Sequence, residues 1–240
     1  MTPTEAFFTV HKDLPREGPG LPEDVFWALD VAGTPVSARI ADAACGPGAD
    51  TVTLAQARPG SEILAVDLHE GFVEQAQARC AHFGEWVSVR QMNYLEIPGD
   101  FDLIWCAGAV YFVGIEKALT TWKKKLRPNG RVAFSEPAWL TEDPSPAARA
   151  FWAGEGSVES VSKLTDRIEQ CGWRVIDDRK IVRSAWQAYY NPMQKRLDAL
   201  SASNPDENLQ AAIQETQQEI DKWHQASDEI AYALFVVEPP

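Results

Sequence analysis

Asp42, Gly46, Gly48 and Asp67 are the residues whose types and spacing suggest a shared chemical task. Glycine permits positive φ and lets a ligand come close to the backbone. Gly46-Pro47-Gly48 stands where a small, apolar run at residues 38–43 gives way to Asp50-Thr51-Val52-Thr53-Leu54-Ala55, which reads as a helix start. A helix beginning at such a turn leaves backbone N–H groups free to face a ligand. Asp67 follows about 20 residues later, the spacing at which a carboxylate can accept both ribose hydroxyl protons of a nucleoside. A nicotinamide site asks for G-x-G-x-x-G, and here Thr51 holds the last position. A glycine turn that serves packing alone is the plainer alternative.

These residues need strands to carry them. Residues 38–43, 62–67, 87–91, 101–106, 131–135, 173–182 and 230–237 read as strands. Helical patterns over 23–31, from 50, 71–80, 115–126 and 160–171 alternate with them, the pattern of an α/β fold with a parallel sheet. Arg127-Pro128-Asn129-Gly130 is expected to stop the helix before it. Residues 141–158 are rich in Pro, Ser and Ala, with Phe151 and Trp152 as anchors. Between 184 and 227 the alternation breaks into two helical patterns, 195–202 and 207–223. The second is mostly polar and is expected to cap the domain or meet a partner subunit rather than enter the core.

The chain has 240 residues, enough for one domain with a sizeable core. Its net charge of −13 disfavours phosphate backbones, so no nucleic-acid partner is expected. The basic run Lys123-Lys124-Lys125 reads as a solvated helix end. Cys45, Cys80, Cys106 and Cys171 are scattered with no C-x-x-C pair, and the four histidines show no ligand spacing. That pattern fits a reducing compartment without a metal site. No long apolar run opens the chain, so no membrane partner is expected and the location is read as cytoplasmic.

Asp42-x-x-x-Gly46-x-Gly48 resembles motif I of the class I methyltransferases that use S-adenosylmethionine, with Ala44 where most of that family has glycine. Leu14-Pro15-Arg16-Glu17-Gly18-Pro19-Gly20 resembles a loop found in a bacterial group of that family that acts on small molecules. The segment 126–139, LRPNGRVAFSEPAW, resembles the family's helix-turn-strand after the fourth strand. The resemblance implies one Rossmann-like domain over 1–240: a seven-stranded, mostly parallel sheet with an antiparallel last strand and helices on both faces. Residues 1–34 would form an N-terminal cap segment and 184–227 a helical insert before the last strand.

It also implies S-adenosyl-L-methionine as cofactor, S-adenosyl-L-homocysteine as product and a small-molecule methyl acceptor as partner. The cofactor would lie against Asp42, Ala44, Cys45, Gly46, Gly48, Asp67 and Leu68. Met92, Asn93 and Tyr94 would meet the adenine, with Asn93 accepting from its amino group or serving only as a turn residue. Gly108 would leave room for the methionyl part. Arg16 would approach its carboxylate, or else stay on a surface loop. Asp/Asn-Pro-Pro-aromatic is absent after residue 106, and Trp105 rather than proline precedes Cys106, so two base-methylating chemistries find no motif.

The acceptor pocket is expected from Phe7, Phe8, Tyr111, Trp139 and Trp186, with Glu136 and Tyr190 as catalytic candidates that orient a hydroxyl or amine or take its proton. Trp186 and Tyr190 are four apart and share a helix face, so they could equally anchor the insert in the core. The insert is also a candidate homodimer surface. Two rival readings stand beside this one: a cofactor-binding protein without catalysis, and a nicotinamide-dependent dehydrogenase.

Overall fold

β1 (Arg39–Ala43) lies in the middle of the sheet because its side chains past Arg39 are buried on both faces. It pairs in parallel with β2 (Glu62–Asp67) on one side and β4 (Phe101–Cys106) on the other. The computed structural model describes residues 1–154 and 157–240. Glu155 and Gly156, inside the Pro/Ser/Ala-rich stretch, lie outside the described residues.

Adding β3 (Val87–Gln91), β5 (Leu126–Trp139), β7 (Arg174–Ile181) and β8 (Ile230–Glu238) gives the order β3-β2-β1-β4-β5-β8-β7. β8 runs antiparallel between β5 and β7. The two-residue β6 (Glu159–Ser160) pairs with the end of β5, off this path. The expected α/β sheet with its antiparallel last strand is therefore present.

Alternation along the strands sends side chains to two apolar layers. Ile40, Leu103, Trp105, Ala133, Leu234 and Val236 join one core cluster with residues of α2 (Pro22–Val31). Ala41, Ile104, Cys106, Phe134 and Phe235 join the other, against α5 (Ile115–Lys123) and α7 (Val161–Gln170). α3 (Ala49–Ala57) and α4 (Glu70–Cys80) follow β1 and β2.

Three expectations are corrected. α5 ends at Lys123, and Arg127-Pro128-Asn129-Gly130 is folded into the start of β5 as an irregularity in its pairing with β4. Asn129 takes φ +65° there, and a Cβ on Gly130 would meet the Phe101 carbonyl oxygen at 2.6 Å. α8 (Arg183–Ser201) begins twelve residues earlier than its sequence pattern and runs through Pro192. Its buried residues Ala185, Trp186, Tyr189, Tyr190, Met193 and Leu197 recur at helical spacing, and that stripe outweighs the hydrogen bond proline removes. α9 (Glu207–Ala226) is not merely a polar cap. Leu209, Ile213, Ile220 and Trp223 form a narrow stripe that enters the same core cluster as α8. α9 packs on α1 (Pro3–His11) and α6 (Pro146–Phe151), so the insert and the N-terminus meet over one face of the sheet.

Candidate active site

From β1 the chain steps outward to β2 and β3; from β4 it steps the other way to β5. In open parallel sheets, ligands bind beyond the strand ends at that reversal. A crevice of about 970 Å³ opens there. That is at the upper end of the roughly 300–1,000 Å³ typical of small-molecule sites, with room for two ligands side by side. Its floor is the β1 turn and the residues after β4; its roof comes from α1, α8 and α9.

One half is polar and built on backbone. Gly46 has φ +52°, and its N–H donates to Asp67 Oδ2 at 2.9 Å. Asp67 Oδ1 accepts from the His69 N–H at 2.9 Å. Ala44 takes φ +64°, a conformation that costs an L-residue roughly 1–2 kcal/mol and that glycine adopts freely. Asp42 is 2% exposed and accepts from Thr51 Oγ1 at 2.5 Å. Burial, and then the charge of Asp50, push its carboxyl up to about 8. Cys45 also lines the crevice, its thiol pushed up mainly by burial. Leu68 lines the mouth, 58% exposed.

Gly108 has φ +72°, its N–H donates to Ser135 Oγ at 2.8 Å, and a Cβ there would meet nothing within 4 Å, so the space before it is open. Tyr94 lines the crevice and donates to the Ala109 carbonyl at 3.2 Å. Arg16 reaches the crevice from the loop before α2. It donates to Asp50 Oδ1 at 2.7 Å and to the Gly20 carbonyl, and its buried Nε has no partner.

Three expected cofactor residues stand elsewhere. Gly48 packs α3 against α4: its φ is +88°, and a Cβ would lie 2.9 Å from the Ala76 Cβ. Met92 and Asn93 fall outside the crevice lining, and Asn93 Oδ1 accepts from the Leu95 N–H at 2.9 Å in a turn. Asp50 and Glu17 were not foreseen. Asp50 holds both Arg16 and the Trp105 indole N–H, the latter at 3.2 Å. An acid in the first turn of a helix beside the motif was the signal for it.

The other half is aromatic. Trp186 and Tyr190 both line it and both are deeply buried, so the alternatives of pocket wall and core anchor coincide. Trp186 donates to the Ile181 carbonyl at 3.2 Å and stacks on Tyr232 with centroids 5.7 Å apart. Tyr190 donates to Glu219 Oε1 at 2.7 Å. Burial and that acid push its phenol far up, which favours the protonated form. Phe7 and Tyr111 line this half as expected, joined by Phe151 and Trp152.

Phe8, Trp139 and Glu136 do not line the crevice. Phe8 stacks on His69 with centroids 3.6 Å apart. Trp139 donates to the Val158 carbonyl at 2.8 Å. Ser135 faces the crevice, so its strand neighbour Glu136 points to the opposite face of the sheet. There burial pushes the Glu136 carboxyl up to about 8, Arg167 opposing, and its Oε1 has no hydrogen-bond partner.

Comparison with known proteins agrees with this fold. A family model described as a methyltransferase domain matches residues 40–130, the span from β1 to the start of β5. The S-adenosylmethionine-dependent methyltransferase of Geobacter sulfurreducens, solved with S-adenosyl-L-homocysteine, superimposes with a TM-score of 0.86 over 98% of both chains at 17% identity. The fold is that of a methyltransferase. The methyltransferase of Thiobacillus denitrificans, also solved with S-adenosyl-L-homocysteine, matches equally well, with a TM-score of 0.86 and 18% identity over 98% of both chains. In sequence, the ubiquinone biosynthesis O-methyltransferase of Methylococcus capsulatus is 32% identical over 102 residues, 40% of this chain and 42% of that one. The matches span only 24–42% of the length of the curated relatives.

Proposed function

We propose that the chain transfers a methyl group from S-adenosylmethionine to a small-molecule acceptor. The observation that carries this reading is one continuous crevice, at the reversal of strand order, whose polar half holds Gly46 and Asp67 and whose other half is aromatic. The polar half fits the cofactor. Each Asp67 oxygen takes one backbone N–H and keeps a lone pair for a ribose hydroxyl. The open space before Gly108 suits the methionyl chain, and the unpartnered Nε–H of Arg16 is a donor for its carboxylate.

The cofactor supplies an activated sulfonium methyl group for in-line displacement by an O, N, S or C nucleophile. The chain's part is alignment, which can contribute roughly 7–11 kcal/mol. Glu136 lies on the far face and the protonated form of Tyr190 is favoured, which argues against either as a base; Tyr190 would serve as a wall and an orienting hydroxyl. The crevice holds Glu17, Asp42, Asp50, Asp67, Glu215 and Glu219 against Arg16 and Lys222, a balance that favours a small molecule over a phosphate backbone. No helix among the described residues is long and apolar enough to cross a membrane.

Calorimetric titration with S-adenosylhomocysteine and with NAD tests the cofactor. Binding of the first alone is expected; binding of NAD alone would end the reading. Incubation with methyl-labelled cofactor and a metabolite extract then separates an enzyme from a silent binder. Labelled product is expected, and binding without any transfer would favour the silent protein.

A further inference from the structure

Glu17 enters the reading above only as one of the acids of the crevice, yet its two carboxylate oxygens are placed very differently. Its Oε2 lies 2.6 Å from His11 Nδ1. Its Oε1 is buried and has no hydrogen-bond partner at all. A buried carboxylate oxygen without a donor is rare in native structures, because desolvation of the group is then uncompensated. The loop that carries the side chain is held in place from several directions. Arg79 of α4 donates to the carbonyls of Leu14 and Pro15, and Arg16 is fixed by Asp50. These bonds lay Glu17 across the glycine turn, with its Cγ 3.6 Å from where a Cβ on Gly46 would lie. Burial and the nearby charge of Asp67 raise its carboxyl, while His11 and His69 lower it.

Two carboxylates, Glu17 and Asp67, thus flank the Gly46 turn, and one of them holds an acceptor atom with nothing to accept from. We propose that Glu17 is a cofactor-binding residue: its Oε1 accepts a hydrogen bond from a donor of the nucleoside cofactor seated over Gly46. Through His11 the same carboxylate ties α1 to the occupied site. His11 stacks on Phe7 with centroids 4.2 Å apart, and Phe7 lines the acceptor half. Filling the cofactor half therefore helps to set the acceptor half. The inference rests on the cofactor assignment above. The cofactor offers donors at its ribose hydroxyls, its adenine amino group and its α-ammonium, and the test separates the nucleoside donors from the ammonium.

The experiment titrates the full chain and its E17A and E17Q variants with S-adenosylhomocysteine and with 5′-methylthioadenosine, which keeps the ribose and lacks the amino acid. E17A is expected to weaken S-adenosylhomocysteine binding roughly ten- to hundredfold, the range for a hydrogen bond to a charged group. E17Q keeps the shape of the side chain and reads the effect of charge if E17A folds poorly; a smaller weakening is expected. Equal weakening toward methylthioadenosine assigns the nucleoside part, and an unchanged methylthioadenosine affinity assigns the ammonium. Amide exchange over residues 3–11 should slow when S-adenosylhomocysteine binds the unmodified chain, and slow less in E17Q. If the unmodified chain does not bind S-adenosylhomocysteine, the cofactor assignment fails and Glu17 with it. If the unmodified chain binds and both variants bind as tightly, only the role of Glu17 is overturned. Unchanged exchange over α1 would remove the tie between the two halves.

Discussion

The two halves of the crevice are made by different means. The cofactor half comes from short consecutive segments: Asp42 to Asp50, Asp67 to His69, and Gly108, all at or just past the ends of parallel strands. Its geometry is fixed by backbone hydrogen bonds such as Cys45 N–H to the Val66 carbonyl and Gly48 N–H to the Cys45 carbonyl. The acceptor half is assembled from Phe7, Tyr111, Phe151, Trp152, Trp186, Tyr190 and Tyr232, which lie far apart in the chain and meet only through packing. A half fixed by backbone should tolerate side-chain loss with its shape intact and lose only ligand. A half fixed by packing should lose shape and stability together.

Trp186 puts this contrast under the greatest strain. Trp186→Ala should cost roughly 3–5 kcal/mol in denaturant unfolding, as for other buried aromatic truncations. Cofactor affinity of the folded fraction should be unchanged. A normal melting temperature with lost turnover would show that the acceptor half is as rigid as its counterpart. Asp67→Ala is the mirror case: affinity for S-adenosylhomocysteine should fall by roughly 1.5–3 kcal/mol, tenfold or more, while the melting temperature moves little. Unchanged affinity would take the ribose away from Asp67.

pH sharpens the comparison across the sheet. Asp42 and Glu136 are both raised to about 8 in the folded chain, from ordinary carboxylate values. Each holds in the folded state a proton that the unfolded chain releases. Their contribution is fullest below the unfolded pKa and declines as pH rises toward about 8, by at most about 1.4 kcal/mol per pH unit for each group. Asp42→Asn and Glu136→Gln should each flatten a plot of melting temperature against pH over that window. Saturating S-adenosylhomocysteine should alter the Asp42 part alone, since Glu136 faces away from the crevice. A ligand effect on both would contradict the facing assigned to Glu136.

Ala44→Gly should stabilise the chain by about 1 kcal/mol by relieving its left-handed backbone; thermal unfolding checks this, and a loss of stability would show that the Ala44 methyl packs usefully. The smallest effect is expected at Asn93. With its Oδ1 bonded to Leu95, Asn93→Leu should leave S-adenosylhomocysteine affinity unchanged in calorimetry, and a clear loss would return Asn93 to the adenine.

The same contrast explains what could be read from the sequence. The α/β alternation, the central strands and the Gly46–Asp67 pair are local patterns, and each is where its spacing placed it. Gly48 looked like a second cradle glycine because the motif records only that no side chain is tolerated there. The neighbour that forbids one is Ala76 of α4, which the motif does not contain. Glu136 was misplaced by one step of strand alternation. A strand buried on both faces gives no periodic signal for which side a residue takes. Trp186 and Tyr190 were correctly paired on one helix face, but whether that face met ligand or core depended on α6 and β8. Arg16 was drawn toward the crevice by resemblance, while its partner Asp50 required the fold to bring positions 16 and 50 together.

The place of β8 has a consequence for how the chain acquires this structure. It follows every other strand in sequence, yet it is inserted between β5 and β7 and pairs with both along most of its length. Until it arrives, β5 presents an open edge and β7 has no neighbour among the strands of the sheet. Both are templates for pairing with the wrong chain. Closing that gap needs contacts between distant parts of the sequence, which makes it slow relative to the local helices. The half of the sheet that carries Gly46 and Asp67 has no such dependence. During synthesis the nucleoside-facing turn can therefore form first, and the aromatic wall must wait for the last strand.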